Sequence, residues 1–135
     1  MPPNIYACLG IYGRFDPADA TRLLGVEAKT RRAGELLPQG RPADIDSWHF
    51  STTKEESYEW PDHLDQVLAL VQPRADEFVR FCDERALDRQ VHLIAEMTGD
   101  TPVGSLTAEQ VAKIAALGCS INIDLYCWSE AEEAT

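Results

Sequence analysis

"NIYACLGIYG", residues 4–13, alternates Ile5, Ala7, Leu9 and Ile11 with Tyr6, Cys8, Gly10 and Tyr12, and this period of two decides the fold. Successive strand side chains point to opposite faces, so the apolar set belongs to a core and the tyrosine-bearing set lies on a second face. "INIDLYCW", residues 121–128, repeats the device, with Ile121, Ile123, Leu125 and Cys127 against Asn122, Asp124, Tyr126 and Trp128. Two further stretches, "DSWHFSTTK" at 46–54 and "QVHLIAEMT" at 90–98, are rich in β-branched and aromatic residues and read as strands.

Helical signals separate these strands. In "FDPADATRLLGV", Asp16 suits an N-cap, Pro17 the first helical position, Asp19 the positive helix end and Gly25 a left-handed stop. Leu64, Val67, Leu68, Val71, Ala75, Phe78 and Cys82 keep steps of three and four past Pro73. Proline lacks the N–H and disfavours helix at Gln72, which predicts a kink or two abutting helices on one core face. Thr107 caps a third segment carrying Val111, Ile114, Ala115 and Leu117, and Gly118 ends it. The expected architecture is α+β, with about five mostly antiparallel strands and about three helices on one face. Residues 1–128 form a single domain, and 129–135 an acidic tail expected to be disordered. Val26 to Lys29 reads as the start of a further strand, and "TRRAGELLPQGRPADID" as a long loop or irregular hairpin.

Giving the apolar parity to the helix-covered face leaves Tyr6, Tyr12, His92, Glu96, Asn122, Asp124, Tyr126 and Trp128 on the other. An antiparallel sheet can leave one face to solvent, and aromatics mixed with Asp, Glu and His make a candidate binding face. The competing reading folds the loop near 30–45 over that face as a second small core.

The 135 residues suffice to bury roughly two thirds of the unfolded surface, so a full core needs neither disulfide nor metal. A net charge of −11 argues against nucleic acid, whose phosphates require Lys and Arg, and suits a basic protein partner instead. The N-terminus has no positive residue ahead of an apolar run, so neither a signal peptide nor a membrane contact is expected, and the location reads as cytoplasmic. Cys8, Cys82, Cys119 and Cys127 form no CxxC pattern and read mostly as small core hydrophobes.

No nucleophile elbow or phosphate loop is present, which favours a non-enzymatic role. His92 and Glu96 are four apart, a separation of roughly 13 Å along a strand, so they cannot share one ion; no metal or other cofactor is expected. Arg31 and Arg32, in a basic loop with Lys29, form a candidate anion-binding pair because guanidinium groups fork onto phosphate or carboxylate.

Phe15, Asp16 and Pro17, then Thr21, Leu24 and Gly25, Ser47 and Trp48, "LTAEQVAKIAALG", and a last strand bearing Asp124 and Tyr126 resemble the bacterial domain of unknown function 4279. The resemblance implies a small stand-alone intracellular protein and carries over no activity, cofactor or catalytic residue. Two function classes follow. One is a protein-binding domain, with an immunity or antitoxin-like role as its concrete version; a homodimer is compatible with it. The other is a small anionic-ligand binder or an unrecognised enzyme using the same sheet face.

Overall fold

The computed structural model describes residues 2–102 and 105–127. The described elements are β1 (Asn4–Gly13), α1 (Pro17–Leu24), β2 (Lys29–Arg31), β3 (Asp46–Ser51), β4 (Glu55–Glu56), α2 (Trp60–Val71), α3 (Ala75–Glu84), β5 (Asp88–Met97), α4 (Ala108–Ala116) and β6 (Ser120–Cys127). The sheet order is β2-β3-β1-β5-β6, with β4 also paired to β1. All pairs are antiparallel except β5 with β6, which are parallel because α4 carries the chain back across the sheet. The α+β class and mostly antiparallel sheet match expectation, and the sixth strand is the two-residue β4.

The expected caps are in place. Asp16 Oδ1 accepts from the Ala18 N–H, Gly25 closes α1 at φ 68°, and Thr107 and Gln110 form a reciprocal capping box on α4. Proline at 73 divides the long apolar stripe as its chemistry requires: a 3-10 turn, Gln72–Arg74, joins α2 to α3. Three helical segments in the sequence are therefore four α-helices among the described residues. Their buried residues, including Leu64, Val67, Phe78 and Ile114, pack on Ile5, Leu9, Trp48 and Leu93 in one core on one side of the sheet. Trp48 is fully buried, and its indole N–H donates to Thr21 Oγ1 at 3.1 Å, tying β3 to α1. None of the described helices is long and apolar enough to cross a membrane.

Two buried polar groups hold the sheet where its ladder is irregular. Residues 52–54 leave the ladder between β3 and β4, and the Ala7 N–H donates instead to Thr52 Oγ1 at 3.0 Å. Thr52 Oγ1 lies 2.8 Å from Nδ1 of buried His63, whose Nε2 is 2.8 Å from Glu55 Oε1. A carboxylate only accepts, so Nε2 carries the proton that faces Glu55, and with that tautomer the Thr52 hydroxyl donates to Nδ1. At the other end of β3, Asp46 accepts from the Phe15 N–H at 2.9 Å and the Ala33 N–H at 2.8 Å. These backbone bonds, with the Arg32 guanidinium nearby, hold its carboxyl below the usual range.

The long loop does not form a second core. It makes its own hairpin, with Ala43 N–H donating to Glu35 O and Leu37 N–H to Arg41 O, and Leu36 is 73% exposed.

Candidate functional site

Cross-strand register assembles the second sheet face row by row. Directly paired residues share a face, so His49, Gly10, Gln90 and Ser120 form one row and Ser51, Cys8, His92 and Asn122 the next. Ile94 and Asp124 extend the row of Tyr6, while Glu96 and Tyr126 extend that of Asn4. Sequence parity therefore brings Tyr6, Tyr12, His92, Glu96, Asn122, Asp124 and Tyr126 onto one surface. Trp128 lies outside the described residues.

At the centre, the Tyr12 ring folds back over Gly10. A Cβ built on Gly10 would lie 2.3 Å from the Tyr12 hydroxyl, so glycine creates the space in which this ring rests. The hydroxyl reaches Nε2 of two histidines at once, His49 at 2.7 Å and His92 at 3.0 Å. One phenol has one proton, so it donates to one imidazole and accepts N–H from the other. Asp124 Oδ2, 3.6 Å from His92 Nδ1, favours the proton on that nitrogen. The resulting order is His49 N–H to Tyr12, and Tyr12 O–H to His92.

The electrostatics favour the uncharged forms of Tyr12, Cys8 and His49. Burial pushes the Tyr12 phenol up to about 12, with Cys8, Asp88 and Asp124 adding to the rise. Burial also raises the Cys8 thiol, which lies 2.9 Å from Ser51 Oγ, and this works against its use as a thiolate nucleophile. Burial first, then His92, Arg31 and Lys29, hold His49 below 6.5. The centre offers neutral hydrogen-bonding groups rather than an ionised nucleophile.

Charge collects at the two sides. Lys29 pairs with His49, and Arg31 with Ser47, on the short strand β2. On the other side, Asp124 stands near His92, Glu96 binds Lys54 Nζ at 2.8 Å, and Asn122 donates to Gln90 Oε1 at 2.5 Å. The proposed Arg31 and Arg32 pair is split. Arg31 belongs to this face, whereas Arg32 turns to Asp16 at 3.2 Å and Asp46 at 3.4 Å, because adjacent residues in extended chain point to opposite sides. Among the described residues, no three His, Cys, Asp or Glu side chains converge as a metal set.

His49 is the central residue that the expected face omits. The same period of two in "DSWHFS" places Ser47, His49 and Ser51 opposite Trp48, so the signal is present once β3 is aligned beside β1. Its bond to Tyr12 depends on Gly10 and cannot be read from parity.

Gly10→Ala is expected to displace the phenol from both histidines. Freed from that burial, His49 should titrate closer to 6.5, a rise readable from its ring proton in an NMR pH series. An unchanged midpoint would contradict the role given to Gly10.

No curated protein and no solved structure matches the chain. The family model for the domain of unknown function DUF4279 matches residues 3–128, which contain the whole described face and the helices behind it, and the chain belongs to that family.

Proposed function

We propose that this chain is a non-enzymatic binding protein whose open sheet face docks another protein. The carrying observation is the form of the face: a hydrogen-bonded cluster of half-buried Tyr12, His49 and His92 without a covering loop, flanked by Lys29 and Arg31 on one side and by Glu96, Asp124 and Tyr126 on the other. Such a surface offers aromatic area and fixed polar groups to a broad partner. A cleft of about 680 Å³ lies elsewhere, between α2 and α4. A partner presenting a basic stripe to β6 fits the acidic side and the net charge of −11. An immunity or antitoxin-like role in a bacterial cytoplasm is the concrete form of this reading, and a reducing compartment suits the free cysteines.

A cleft of about 340 Å³ lined by Glu27, Ala28, Lys29, His49, Phe50 and Ser51 supports a second reading, capture of a small anion at Lys29, two residues along β2 from Arg31. The two are separated by affinity capture with wild type and with an Asp124→Ala/Tyr126→Ala variant of unchanged melting temperature. Protein docking predicts a captured protein that, once purified, binds the double variant at least about tenfold more weakly, some 1.4 kcal/mol. Equal capture by both would overturn it, and a phosphate- or carboxylate-induced thermal shift lost in Arg31→Ala would favour the second reading.

A further inference from the structure

We propose that β6 pairs antiparallel with β6 of a second copy of this chain, about a two-fold axis centred on Ile123. β6 ends the strand order, and its outer edge has no strand partner among the described residues. The opposite edge, β2, is three residues long and carries Lys29 and Arg31, devices that discourage strand addition. β6 has eight residues and contains no Pro, Lys or Arg. Its apolar side is also unfinished. Ile121 packs against the core, but Ile123 and Leu125, of the same parity, are 57% and 54% exposed.

The choice of a second copy comes from the self-complementarity of the strand. A two-fold axis perpendicular to the sheet keeps each face with itself, so the axis must pass through a residue. Centred on Ile123, it places Ile121 opposite Leu125, Ile123 opposite its own copy, and Asn122 opposite Asp124. An amide then meets a carboxylate on the open face while an aliphatic ladder closes the helix side. Centred on Asp124, it would set two carboxylates against each other. Carried one residue beyond the start of β6 at Ser120, the Ile123 register also brings Cys119 opposite Cys127 of the second copy. Facing Cα atoms in an antiparallel pair lie about 4.5–5.5 Å apart, within reach of a disulfide. Inside one chain, the seven steps of β6 from Ser120 to Cys127 alone span roughly 23 Å, so a bond between Cys119 and Cys127 reports pairing between chains.

This pairing does not rest on the open-face reading, and Ile123 points to the helix side, away from that face. Sedimentation velocity over a concentration series should show a dimer. Added diamide, which takes up the two thiol hydrogens as the S–S bond forms, should give a covalent dimer on a non-reducing gel, with Cys119 joined to Cys127 in its peptides. Ile123→Lys should sediment as a monomer and lose the crosslink while keeping its melting temperature within a few degrees. Cys119→Ser and Cys127→Ser, which leave the apolar ladder intact, should each keep the dimer and lose the covalent species. A wild-type monomer at about 100 µM, or crosslinks through other cysteine pairs only, would overturn the proposal.

Discussion

Thr52→Val is expected to cost about 3 kcal/mol of folding stability, the sum of two buried groups left without partners at about 1–3 kcal/mol each. The Ala7 N–H loses its acceptor, and His63 Nδ1 loses its donor. Valine has nearly the shape of threonine, so the loss measures hydrogen bonding rather than volume. Neither group is readily rehydrated, because Ala7 is fully buried and His63 is 1% exposed. Thr52→Ser keeps the hydroxyl and should cost only about 1 kcal/mol, the removal of one methyl group. Urea melts of the two variants provide the comparison. A Thr52→Val loss no larger than that of Thr52→Ser would mean that the hydroxyl contributes no more than one methyl group, and that Glu55, His63 and Thr52 do not act as a connected set.

The second large effect is expected at Asp46. Asp46→Ala removes one carboxylate from two backbone N–H groups and the Arg32 guanidinium, a carboxylate that joins the turn between β1 and α1, the hairpin loop and β3. Bonds to a charged group are worth roughly 1.5–3 kcal/mol each, so a loss of about 3–4 kcal/mol near neutral pH is expected. The pH dependence follows from the lowered carboxyl pKa in the folded protein. A carboxyl depressed on folding contributes fully above its unfolded value, about 3.9, and that contribution disappears as pH falls through the folded value. The gap between wild type and Asp46→Ala should therefore be constant from pH 7 to about pH 5 and narrow below about pH 4. A gap that narrows already between pH 7 and 5 would show that another titrating group carries the effect.

Both sites show where sequence reading ends. The period of two around Ile5 and Ile121 identifies two principal strands, and Asp16, Pro17, Gly25, Thr107 and Pro73 locate helix starts, stops and the break between α2 and α3. These signals are local: a cap bonds within one turn, and parity needs only the chain itself. Thr52 and Asp46 carry no such mark. Their importance comes from partners 45 and 31 residues away in sequence, Ala7 and Phe15.

The candidate face divides along the same line. Parity alone collects Tyr6, Tyr12, His92, Glu96, Asn122, Asp124 and Tyr126, and it separates Arg31 from Arg32 once the chain there is known to be extended. Strand order decides the rest. Placing β1 between β3 and β5 brings His49 and His92 to opposite sides of Gly10, and the missing side chain there lets Tyr12 lie between them. Sequence by itself determined which residues share a face, because side-chain alternation is a property of a single strand. Only the tertiary structure decided which of them touch, that the loop leaves them uncovered, and that β6 stands at an edge, because those depend on how separate strands pair across the sheet.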